Sequence, residues 1–237
     1  MKAGRVVTLL ALLVGMQMPA LARAQTSQVA SRAAITNPTT LNWIALYGAI
    51  DPILNPKASI AGTAGPLTVT VSGAGRVATY QQGISWGGVF SFGEPVLYSA
   101  GSGPLKITFS QDVFAFGANV QSNFYGNFSA RITAYNASGK DIEPSYSETG
   151  SITGIGAGMA PFLGIQSMTG FRAITIDVSG NLIDPEKEEL NLSLGINQAT
   201  ISTSPRTSVP EPSSYALTAA GLASLLLLSR RRRRLSA

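Results

Sequence analysis

The chain has 237 residues, 45% of them hydrophobic and 12% charged, with neither cysteine nor histidine. That length can bury a domain-sized core, and the apolar content is too high for a disordered chain. The missing residue types exclude disulfides, thiol nucleophiles, Ser-His-Asp triads, imidazole proton shuttles and zinc sites of the usual His/Cys kind, while a net charge of +5 makes the placement of the cations the first question, because a basic chain suggests nucleic acid or an acidic membrane.

Residues 1–24 predict a secretory signal-peptide helix. Lys2 and Arg5 supply its basic start, 6–16 its apolar run, and Ala22-Arg23-Ala24 an A-x-A site that puts cleavage between Ala24 and Gln25. Export through the Sec machinery is the expectation. Residues 25–60 read as an N-terminal extension, partly helical. Within it the stretch TLNWIALYGAIDPIL (40–54) carries the one helical stripe, which Pro52 and Pro56 limit to about three turns.

From 61 to 204 the hydrophobic period is two. Leu67, Val69 and Val71 alternate with threonines, Leu105, Ile107 and Phe109 with Lys106 and Thr108, and Ala130, Ile132 and Ala134 with Arg131 and Thr133. Ile174, Ile176 and Val178 continue the pattern, as do Leu190, Leu192, Leu194 and Ile196. Each run fits a half-buried strand. Phe114, Phe116, Ala118 and Val120 alternate with residues that are also apolar or small, which predicts a central strand covered on both faces. Turn chemistry separates the runs at Ser72-Gly73-Ala74-Gly75, Gly101-Ser102-Gly103-Pro104, Asn136-Ala137-Ser138-Gly139 and Ser179-Gly180-Asn181. The expected fold class is all-β: an antiparallel β-sandwich or jelly roll.

Residues 205–214 form a linker containing Pro210-Glu211-Pro212, whose prolines fix φ and deny helix. The uncharged segment 215–229 follows. As a helix it rises about 22 Å, a minimal transmembrane span against a hydrocarbon core of roughly 30 Å. Arg230, Arg231, Arg232, Arg233 and Arg234 then stop transfer and hold the basic tail 230–237 in the cytoplasm, so the preceding domain lies outside it. The cations thus belong largely to the ends. Of 17, three lie in the signal peptide and five in the tail, so nine face all 12 acids and the mature domain carries about −3. A nucleic-acid partner loses its support.

A Pro-Glu-Pro triplet, an apolar span and a terminal arginine cluster, in that order, resemble the PEP-CTERM sorting signal of exported bacterial proteins. The resemblance implies that Pro210, Glu211 and Pro212 are recognised by an exosortase-type membrane enzyme, which processes the anchored precursor and delivers its domain to the cell surface or the extracellular polysaccharide. The series Gly93-Glu94-Pro95-Val96-Leu97-Tyr98, Ala130 to Gly139 (ARITAYNASG), Ala160-Pro161-Phe162-Leu163-Gly164 and Phe171 to Val178 is similar to the ectodomain common among PEP-CTERM proteins. It implies a sandwich of jelly-roll type and supplies no catalytic residue.

Among the aromatics, Trp86, Tyr98, Phe124, Tyr125 and Tyr135 offer flat faces for stacking sugar rings. Ser85-Trp86-Gly87-Gly88 and Tyr125-Gly126-Asn127 read as loops, which leaves Trp86, Phe124 and Tyr125 as the carbohydrate contacts to test. The acidic run Asp184-Pro185-Glu186-Lys187-Glu188-Glu189 lacks the spacing and glycine of an EF-hand and reads as a solvated turn. No catalytic set, metal-ligand set or cofactor is expected, and the domain reads as a structural or carbohydrate-binding module. The alternative is a polysaccharide-active enzyme using two carboxylates, with calcium assisting.

Overall fold

The computed structural model describes residues 26–49, 57–101, 103–180 and 193–205. The cleavage-site residues Ala22, Ala24 and Gln25, the acidic run 184–189, the triplet Pro210-Glu211-Pro212, the 215–229 span and Arg230 to Arg234 lie outside the described residues. Among the described residues no helix is long and apolar enough to cross a membrane.

Among the described residues the chain forms twelve strands, all hydrogen-bonded into one sheet, while Leu190 and Leu192 of the last alternating run lie outside them. In chain order they are β1 (Thr26–Gln28), β2 (Thr39–Leu41), β3 (Lys57–Ala64), β4 (Leu67–Gln81), β5 (Pro95–Ser99), β6 (Leu105–Ser122), β7 (Gly126–Tyr135), β8 (Asp141–Gly154), β9 (Ala157–Met159), β10 (Phe162–Gly180), β11 (Leu194–Asn197) and β12 (Ala199–Ser202). The spatial order is β3-β4-β5-β11-β6-β10-β7-β8-β9, with β1 on β10 and β12 joining β2 to β6. Every pairing between these strands is antiparallel. The domain is all-β and sandwich-like.

β6 is the spine. One edge pairs with β10 along most of its length, and the other meets β4, β12 and β11 in succession. The two strands expected at 105–109 and 114–120 are therefore one. Between them the inward phase slips, from Leu105, Ile107 and Phe109 to Phe116, Ala118 and Val120, all buried. The pairing with β10 shifts register opposite this slip, between Gln166 and Ala173, as a β-bulge does. Beyond it β6 is covered on both faces: Phe116 and Val120 join the main core, while Ala115 packs with Val29, Ile35 and Phe162 on the other side. The main core runs from Leu41 and Trp43 through every long strand to Ile201.

One local expectation is corrected and another is narrowed. Ser72-Gly73-Ala74-Gly75 is not a turn but the middle of β4, which pairs with β6 through Val69–Ser72 and with β5 through Val77–Gln81. Gly75 serves the close approach of backbones here, since a Cβ on it would press on the Ala100 carbonyl. The helical stripe at 40–54 yields a short helix α1, Trp43–Tyr47, preceded by β2. Asn42 caps it by accepting from the Ala45 N–H at 3.0 Å, and Gly48 at φ 72° ends it. Trp43 is fully buried, stacks on Tyr47, and donates its indole N–H to the Asn197 carbonyl at 2.7 Å. Tyr47 donates to the Val69 carbonyl at 3.2 Å, and burial pushes its phenol well above the usual value of 10.0. Residues 26–49 are thus bound into the sheet through β1 and β2.

Candidate binding cleft

Strand alternation sends Leu97, Ile196, Ala118 and Val120 into the main core. Their neighbours face outward, and the register sets Tyr98 beside Gly195 and Gly195 beside Gln121 on adjacent strands, with Val96 beside Tyr80 and Asn197. This outer face is roofed. The β4–β5 connection, residues 82–94, folds back over it and is closed by hydrogen bonds of 2.9 Å from Gln82 N–H to the Glu94 carbonyl and from Gly93 N–H to the Gln82 carbonyl.

The roof plants Trp86 on the sheet. Its ring centroid lies 5.5 Å from Tyr80 and 5.2 Å from Tyr98, and the two tyrosines meet edge-on at 5.6 Å. These distances are those of favourable aromatic pairs. With Phe90 and Val96 the trio forms a third apolar cluster. Gly88 makes the arrangement fit, because a Cβ there would overlap the Gln121 amide and the Trp86 Nε1. That Nε1 is buried and makes no hydrogen bond among the described residues, an orphan donor of the kind folded proteins seldom leave.

Beside the trio opens a cleft of about 420 Å³. Tyr80, Trp86 and Tyr98 line it together with Gln121, Asn123, Tyr125, Ile152 and Ile155. Gln121 is held in place by accepting from the Val89 N–H at 2.9 Å. The rim is apolar and wet, with Tyr125 61% and Ile155 79% exposed. Of the three aromatics singled out from sequence, Trp86 and Tyr125 meet in this cleft, Trp86 as a wall only 9% exposed. Phe124 is half-buried beside them and is not on the lining. Sequence reasoning missed Tyr80 and Gln121. Tyr80 is two residues beyond the buried Ala78 in β4, and Gln121 follows Val120 in β6 on the outward phase, so the signal was strand phase rather than loop chemistry.

On the other side of Val89 lies a polar pocket of about 280 Å³, lined by Arg32, Glu94, Asn119, Asn197 and Gln198 with Phe90 and Ala160. Asn197, 4% exposed, organises it. Its Oδ1 accepts from the Asn119 N–H at 2.8 Å and from Arg32 Nη2 at 3.2 Å, and its Nδ2 donates to Glu94 Oε1 at 3.2 Å. Arg32 also donates to the Gln198 carbonyl at 2.8 Å, and Glu94 Oε2 accepts from the Ser91 N–H at 3.0 Å.

No family model matches the chain. No curated protein matches it in sequence either. Among solved structures, a DUF4465 family protein from Bacteroides caccae is similar over 70% of this chain and 98% of that one, at 6% identity and a TM-score of 0.45. The enzymatically active domain of bacteriophage CBA120 tailspike protein 4 is similar over 57% of this chain and 18% of that one, at 13% identity and a TM-score of 0.24. Both likenesses are too distant to carry an argument, so the chemistry rests on the site itself.

The two cavities present groups suited to contacts with a ligand. Each cavity offers polar side chains, and the larger adds flat aromatic faces. Glu94 is the sole carboxylate among the described residues lining either. Asp112 is paired with Arg172 at 2.6 Å on the surface. Among the described residues no group of three or more Asp and Glu side chains is placed to hold a metal ion.

Proposed function

We propose that this is an exported carbohydrate-binding protein of the cell surface or extracellular matrix, matured from a membrane-anchored precursor. In this reading Ala22 and Ala24 guide signal cleavage before Gln25 after Sec export, Pro210-Glu211-Pro212 presents the sorting signal to an exosortase-type enzyme, and Arg230 to Arg234 hold the 215–229 span in the inner membrane until processing. The sandwich is of jelly-roll type. Its ligand is extracellular polysaccharide, and the protein performs no catalysis.

The observation that supports the binding role is the convergence of Tyr80, Trp86, Tyr98 and Tyr125 with Gln121 and Asn123 on one cleft. Aromatic faces stack against the apolar C–H surface of sugars while amides orient hydroxyls. Affinity electrophoresis through gels containing the host's extracellular polysaccharide tests it. The protein should be retarded. Tyr125→Ala, at the exposed rim where the fold does not depend on the ring, should weaken binding about tenfold, the equivalent of one good ring contact. Absence of retardation, or equal retardation of the variant, would overturn the reading.

A further inference from the structure

The pocket around Arg32 and Glu94 holds two opposite charges that do not neutralise each other. Among the described residues Arg172 and Asp112 form the one salt bridge, and no bridge joins Arg32 to Glu94 although both line the same 280 Å³ space. The buried Asn197 amide stands between them, taking a hydrogen bond from the guanidinium on its oxygen and giving one to the carboxylate from its nitrogen. Arg32 is bound through Nη2 alone, to the Asn197 oxygen and the Gln198 carbonyl. Among the described residues its Nη1 and Nε find no hydrogen-bond acceptor. Each Glu94 oxygen accepts one bond and retains a lone pair.

This donor and acceptor set selects its guest. An anion would suit Arg32 and meet Glu94; a cation would suit Glu94 and meet Arg32. A hydroxyl both donates and accepts, and a pair of neighbouring hydroxyls satisfies both groups at once. At about 280 Å³ the pocket lies just below the usual range for ligand pockets, about 300–1,000 Å³, so it admits no more than one small unit. Its position extends the aromatic cleft. Gly88 lines the cleft and Val89 the pocket, while Asn119 and Gln121 occupy successive outward positions on β6, about 7 Å apart.

We propose that the Arg32–Glu94 pocket is a second carbohydrate subsite, which takes one neutral sugar unit by its vicinal hydroxyls while the aromatic cleft holds another unit of the same chain. The proposal rests on the carbohydrate reading above and specifies what that carbohydrate presents: uncharged, unsubstituted neighbouring hydroxyls rather than uronate carboxylates.

The test uses the host polysaccharide in three forms: native, carboxyl-reduced, and periodate-oxidised then reduced so that vicinal diols are cleaved. Binding to the native and carboxyl-reduced forms should be equal, and the periodate-treated form should bind at least tenfold more weakly. Glu94→Gln keeps the shape and Arg32→Lys keeps the charge, and each should lose about tenfold on the native form while still unfolding in one cooperative thermal transition. Should one of them fail to fold, the other carries the test. If both bind like the parent while Tyr125→Ala loses binding, the subsite is wrong and the carbohydrate role stands. If carboxyl reduction abolishes binding, the pocket takes anions and the proposal is overturned. If no form binds to the parent protein, the carbohydrate reading itself fails.

Discussion

Asn197 shows how one buried amide joins fold to site. Its backbone carbonyl receives the Trp43 indole and its side chain receives Arg32 and the Asn119 N–H while donating to Glu94. Alanine would keep the carbonyl that receives Trp43 but remove the amide, itself 4% exposed, from the Asn119 N–H and from half-buried Arg32 and Glu94. We expect Asn197→Ala to cost about 2–4 kcal/mol in urea unfolding, the sum expected for several buried hydrogen bonds left unmade. Nothing in the local sequence distinguishes Asn197 from the other asparagines, because its importance comes from strands distant in the chain. Tyr47 makes a different kind of statement. Burial favours its neutral phenol, so its folded pKa lies above the unfolded one, and above about pH 10 the unfolded chain releases a proton that the folded chain keeps. Its contribution is complete below that pH and falls away as pH rises further. Tyr47→Phe should flatten this alkaline decline in a pH series of melting temperatures. It should also cost about 1 kcal/mol at neutral pH through the lost bond to the Val69 carbonyl.

At the level of elements, the 82–94 connection converts an outer sheet face into a site. Gly88→Ala tests how tightly it is fitted. The new methyl would drive the Gln121 amide away and break its bond to the Val89 N–H, so we expect a loss of about 1–3 kcal/mol in denaturant unfolding. The strands themselves were legible, because period-two alternation at 67–71, 105–109, 130–134 and 174–178 falls inside β4, β6, β7 and β10. What alternation conceals is continuity: polar Ser110, Gln111 and Asp112 interrupt the pattern of β6 without interrupting the strand, because the β10 bulge absorbs the phase slip. Glycine misled at 72–75 for a related reason. It signals a turn when read locally, whereas in β4 it serves close packing against the end of β5. Trp86 and Tyr125 were legible as loop aromatics flanked by glycine, but their meeting depends on a fold-back that no short window encodes.

For the whole molecule, the proposed processing changes both mass and charge. Intact-mass spectrometry of the protein from its native host should show a chain that begins at Gln25 and lacks Arg230 to Arg234. Isoelectric focusing should place that product on the acidic side, against a value of about 9.7 for the full chain. Retention of the five arginines would show permanent anchoring instead.

The pairing of β2 with β12 carries one more consequence. These strands come from opposite ends of the described domain, and Arg32 grips the Gln198 carbonyl across 166 positions of sequence. The spine β6 likewise waits for β10, β11 and β12 to cover its edges. Such long closures cost more loop entropy than local pairings and slow folding. In a nascent chain the β6 edges covered by β10, β11 and β12 stay open until those C-terminal strands are available. Under the export proposed above, such a delay would suit a polypeptide threaded through a translocation pore, where premature compaction would jam the passage.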